Sequence, residues 1–155
     1  DVIFDSTYKN YVLVVTDYIP ATDGSALHMN ISTDTGSTYE TSGYITTGAQ
    51  AQFDGGGSSE GLASNVTTSM FLKSNIGSAS SEAAYGTIWL FNPSGSASKP
   101  CVQQQWSEPF ASDGKARATY GVGSYQTATA YDAFQIIPST GDIENLQASL
   151  YGITT

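Results

Sequence analysis

Apolar and polar residues alternate along this chain in short runs, each closed by Gly, Pro, Asn, Asp or Ser. The clearest run is Ala26 to Ser32. Leu27, Met29 and Ile31 fall on one side, His28, Asn30 and Ser32 on the other, and Asp34-Thr35-Gly36 supplies the turn that follows. Such a period of two is that of a half-buried strand. Tyr11 to Pro20 is apolar on both sides, with Tyr11, Leu13 and Val15 opposing Val12, Val14 and Thr16. That pattern predicts a central strand, and Pro20 ends it. In Gly86 to Asn92, Thr87, Trp89 and Phe91 alternate with Ile88 and Leu90. Pro93 drives the residue before it away from helix, Ser94-Gly95 turns the chain, and residues 101–107 return as a hairpin partner. Further strands are predicted at the start (Val2-Ile3-Phe4) and at 38–47, 68–74, 116–122, 132–139 and 146–153. Residues 48–66, with Gly55-Gly56-Gly57-Ser58-Ser59, predict a long loop or lid holding one short helix over 59–65, and 75–85 a Ser/Ala loop. No stretch combines helical periodicity with a cap and a stop. The expectation is an all-β protein: one antiparallel β-sandwich domain over 1–155, jelly-roll-like, with nine or ten strands.

Composition sharpens this. A chain of 155 residues holds a real core without covalent staples. Charged residues make up 12% of it, about half the usual share, so Ser, Thr, Asn, Gln and Gly must cover the surface. Neutral polar surfaces of that kind are common in extracellular and virion β proteins. The net charge is −9 with five basic residues, which disfavours nucleic acid and anionic membrane surfaces. No apolar run is long enough to span a membrane. Cys101 is the one cysteine, so no intrachain disulfide forms. A chain that opens at Asp1 inside a strand reads as processed, or as a domain cut from something longer.

Candidate chemistry is sparse. His28 is the one histidine, and its alternation places it on an outward face without a Gly-x-Ser-x-Gly elbow to serve. One His and one Cys do not make a zinc site. Most carboxylates sit in turns, where turn chemistry explains them. No EF-hand pattern is present, so calcium rests on "TDTGSTYE" and "PSTGDIE" alone, and no cofactor is expected. These observations argue against an enzyme. Recognition is the better prospect. Tyr120, Tyr125 and Tyr131 straddle a Gly/Ser/Thr loop at 120–131, and loops at a sandwich end commonly carry binding. Trp106 ends the Gln-rich strand "VQQQWSEP". Exposed, Trp106 and its glutamines would make a glycan platform, although it shares a face with Val102, which favours the core. Asn30-Ile31-Ser32 and Asn65-Val66-Thr67 match the glycosylation acceptor pattern.

Several segments together resemble a recurrent domain of structural proteins of marine tailed phages. These are Ser6 to Tyr11 near the start, Leu90-Phe91-Asn92-Pro93-Ser94 in the middle, and Thr140 to Ile143 followed by Leu150-Tyr151-Gly152-Ile153 at the end. The departures lie at 48–66 and in "CVQQQWSEPF". The resemblance implies a virion component of tail-fibre, tail-tip or other particle-surface type. Host-surface attachment, with a host-cell glycan as a partner, is the role expected of it. It would bind other virion proteins and copies of itself, with a trimer favoured. The alternatives are a capsid decoration protein that stabilises the head, or a free carbohydrate-binding module. The family brings no catalytic motif.

Overall fold

Among the described residues the alternation along the chain becomes eleven strands: β1 (Val2–Ile3), β2 (Asn10–Pro20), β3 (Ser25–Ser32), β4 (Tyr44–Phe53), β5 (Ser58–Ser64), β6 (Met70–Ile76), β7 (Ala84–Phe91), β8 (Cys101–Glu108), β9 (Ala116–Tyr125), β10 (Ala133–Pro138) and β11 (Ile143–Ile153). The structure is a computed structural model. It describes residues 2–4, 7–53, 58–64, 67–109, 111 and 113–154, with 2, 3 and 58–64 described by backbone alone. No helix occurs among the described residues.

All pairings are antiparallel. Four strands form one sheet in the order β1-β10-β3-β6, and seven form the other in the order β11-β2-β7-β8-β9-β4-β5. The two pack face to face, so the fold is the expected antiparallel β-sandwich. Its chain passes repeatedly from sheet to sheet, as in a jelly-roll-like sandwich, but the split is unequal.

The core follows from the period of two. Leu27, Met29 and Ile31 of β3 point inward and are fully buried, as are Ile88 and Leu90 of β7, while Tyr11, Leu13 and Val15 of β2 are nearly so. Trp106 closes over Gly86, its register partner: a Cβ there would stand 2.4 Å from the Trp106 ring. Only glycine leaves room for the indole. At one end Phe4 gathers Tyr11, Tyr131 and Phe134 at ring distances of 4.7, 5.5 and 5.5 Å.

Beside the apolar core runs a polar seam between the sheets. β6 is the edge of the small sheet, and an edge strand presents backbone groups that need partners. The large sheet supplies them. The Phe71 amide donates to Thr46 Oγ1 at 3.0 Å, and the Phe71 carbonyl accepts from Gln104 Nε2 at 2.8 Å. Gln104 Oε1 in turn accepts from Trp106 Nε1 at 2.8 Å. Further along, Gln50 Oε1 accepts from Ser74 Oγ and Thr119 Oγ1. An irregularity in the β3–β6 register turns both Leu72 and Lys73 inward. Lys73 Nζ meets Glu108 Oε2 at 3.0 Å, with neither side chain exposed. It also donates to the Ser74 carbonyl, and the Gly77 amide donates to Glu108 Oε1. Burial pushes the Lys73 pKa down and the Glu108 pKa up, and each charge pulls the other part of the way back.

Three expectations are corrected. Residues 48–66 are not one long loop: β4 runs to Phe53 and β5 pairs with it over Ser58–Ser64. The short helix over 59–65 is absent among the described residues, because the backbone at 58–64 is that strand; residues 54–57 and 65–66 lie outside the described residues. Asn30 and Ser32 face outward by alternation, yet both are buried. Asn30 Nδ2 donates to the carbonyls of Glu40 and Thr68, each at 2.7 Å, so the amide needed for glycosylation is occupied in the folded chain. The other acceptor, Asn65, lies outside the described residues.

Stranding one buried charge is costly, whereas removing both is not. Lys73→Met alone is therefore expected to lower the unfolding free energy by about 3–5 kcal/mol, measured by urea denaturation. Lys73→Met with Glu108→Leu is expected to recover most of that loss. A single variant as stable as the parent would contradict the buried pair.

Candidate functional site

Each strand of the large sheet that turns one row of side chains into the core turns the other to solvent. The pairings align those outward rows across six strands. One runs Tyr151, Val12, Trp89, Gln103, Val122, Thr47, and its neighbour runs Ser149, Val14, Thr87, Gln105, Tyr120, Ala49. A third holds Asn10, Phe91, Cys101, Ser124 and Ile45. No Asp, Glu, Lys or Arg stands in these rows. The large rings on this face are open to solvent: Trp89 is 39% exposed, Tyr120 51% and Tyr151 54%, with Tyr85 and Phe91 similar to Trp89. Gln103 Nε2 donates to the Tyr120 hydroxyl at 3.2 Å, which holds ring and amide side by side. Tyr85, Thr87, Gln105, Ser107 and Ala118 border a shallow depression of about 300 Å³ on the same face.

Three uncharged rows with several exposed rings are unusual on a chain of net charge −9. Charged side chains ordinarily keep such a surface soluble. Chemically, the face offers flat apolar rings, amides and hydroxyls, and no general acid or base.

The four residues singled out from the sequence do not come together. Tyr120 alone stands on this face. Trp106 is 1% exposed and points into the core beneath Gly86. Tyr131 is equally buried, edge-on to Phe4 at 90°, and burial drives its hydroxyl pKa upward. Tyr125 is 9% exposed and packs on Tyr44 at 5.2 Å. The expected loop-end tyrosine patch therefore becomes core packing: the Gly/Ser/Thr segment around these rings turns them inward. Of the glycan platform expected on the Gln-rich strand, Gln103 and Gln105 stand on the outer face, while Gln104 turns inward with Trp106 and is 2% exposed. The platform's rings come from the neighbouring strands, as Trp89 and Tyr120. The signal for Trp89 lay in the alternation of Thr87, Trp89 and Phe91 against Ile88 and Leu90.

Other groups lie apart from this face. His28 Nδ1 lies 2.7 Å from Ser69 Oγ on the small sheet. Both line a depression of about 380 Å³, although Ser69 is itself only 3% exposed. Asp34, the carboxylate of "TDTGSTYE", accepts from the Thr38 amide and hydroxyl and from Ser32 Oγ, which hold its pKa below the usual value. Among the described residues no three His, Cys, Asp or Glu side chains gather as metal ligands would. Among the described residues no helix is long and apolar enough to cross a membrane.

No family model, curated protein or solved structure matches this chain.

Desolvation lowers the His28 pKa below 6.5. The folded chain then takes up this proton less readily than the unfolded chain. His28 is expected to cost stability as the pH falls below about 6.5, levelling off beneath the folded pKa. The slope of melting temperature against pH between about 5 and 7 should shrink in His28→Gln. An identical slope in both proteins would contradict the half-buried imidazole.

Proposed function

We propose that this chain is a structural protein displayed on the surface of a tailed-phage particle, of tail-fibre or tail-tip type, with host-surface attachment as its role. The outer face of the large sheet is its working surface, and the three uncharged rows on that face are the observation that carries the reading. A protein that acts by presenting a rigid, flat surface needs a stiff sandwich and a broad exposed face more than a deep cleft. The segmental resemblance to marine phage structural proteins and the neutral polar composition support the same reading. So does β11, an eleven-residue strand that, among the described strands, pairs with β2 alone. Its free edge suits docking by other virion proteins or by further copies of the chain, a trimer being the arrangement the resemblance implies. Multiple copies on one particle would add weak contacts into firm attachment.

Immunogold labelling of intact particles with an antibody to this chain tests the proposal. Gold is expected at the tail end. Gold spread over the head would replace attachment with capsid decoration. Gold on no particle would overturn the virion reading.

A further inference from the structure

The outer face has a composition specific enough to name its ligand class. We propose that it binds an uncharged polysaccharide, laid across the strands with its sugar rings on Tyr151 and Trp89. The inference rests on the outer face being the working surface, as argued above.

Geometry comes first. Tyr151 and Trp89 share one register row, joined through Val12 of the strand between them. Two strand spacings separate their positions by about 9.5 Å, comparable to a disaccharide unit of an extended chain. Beyond Trp89 the row continues with Gln103, whose side chain is fixed by its bond to Tyr120. A ligand crossing the row would therefore meet a ring, a gap, a second ring, and then an amide beside a third ring. The apolar face of a pyranose stacks on an aromatic ring, and its hydroxyls pair with amides and hydroxyls. The depression beyond Gln105 gives room for a branch.

Charge decides between ligand classes. The three rows are uncharged and the molecule carries −9, so an acidic polymer is repelled over distance and finds no cation in them. The carboxylate that the register places on this side, Asp17, stands past the rows beside Gln147 and accepts from Asn145 Nδ2, so a basic partner finds no carboxylate within them. A second protein is the other candidate occupant. The centre of a stable protein interface is a contiguous apolar patch. Here the apolar part is a narrow strip, Tyr151, Val12, Trp89 and Phe91, with Trp89 and Phe91 neighbours along β7. Asn10, Thr87, Gln103 and Gln105 border it on the same face. A strip of rings edged by amides and hydroxyls suits a ligand that offers apolar ring faces flanked by hydroxyls.

Affinity electrophoresis of the whole chain through gels containing β-glucan, mannan, xylan or dextran tests this, with alginate as the anionic control. At least one neutral polymer is expected to retard the protein, and alginate is not. Trp89→Ala and Tyr151→Ser should each weaken the retardation by at least about tenfold, and Gln135→Ala on the opposite sheet should leave it unchanged. Tyr151 lies on an edge strand and is half exposed, so its variant decides the matter if Trp89→Ala folds poorly. Retardation by no neutral polymer, or retardation that survives both ring substitutions, overturns the inference. So does a dimer in sedimentation that Trp89→Ala dissolves while no polymer binds, which would assign the face to a second copy. Gold on particles without polysaccharide binding would remove the ligand and leave the virion reading standing. Binding without gold would do the reverse.

Discussion

The edge of the small sheet is closed by side chains of the large one, and the rest of the architecture depends on it. Phe71 would otherwise leave an amide and a carbonyl of β6 without partners at the sandwich interface. Thr46 and Gln104 satisfy both, at the energy scale of ordinary hydrogen bonds that are expensive to leave unmade. Because Gln104 also receives the Trp106 indole, the same amide fixes the largest ring of the core. Polar groups are thus drawn inward along β4, β8 and β9, with Gln50, Lys73 and Glu108 completing the seam. Its counterpart is the opposite face of the same strands, where no charge remains.

Much of the fold was legible in the sequence because two-sided alternation survives wherever a strand has a core face. β2, β3, β7 and β8 are predicted nearly to their ends, and the connection after Phe91 turns as its Asn-Pro-Ser-Gly run requires. β5 was not legible. Its register places Gly48 against Leu62 and Ala49 against Gly61, so small residues replace the apolar half of the pattern. Gly48 must itself be small, since a Cβ there would lie 2.3 Å from the Tyr120 carbonyl oxygen. Periodicity carries no signal where the backbone approach excludes side chains.

The candidate site was half legible. Tyr120 was expected in a loop-end patch and stands instead within β9, on the outer face. Of the β8 glutamines, Gln103 and Gln105 lie on that face, whereas Gln104 is buried beside Trp106. Tyr125 and Tyr131 were misplaced because local composition says nothing about the Tyr44 and Phe4 rings that receive them across the fold. Lys73 shows the same limit in reverse. A lysine reads as surface until a register irregularity turns it toward Glu108, distant in sequence.

A solvent face this free of charge, on a chain this acidic, is best explained by something that lies against it. The most direct test places one charge at its centre. Gln103→Lys is compared with Gln135→Lys on the opposite sheet, and each variant is assayed for incorporation into particles and for adsorption of those particles to host cells. The account predicts that Gln103→Lys abolishes one of the two activities while folding normally, and that Gln135→Lys preserves both. Normal incorporation and normal adsorption with Gln103→Lys would contradict it.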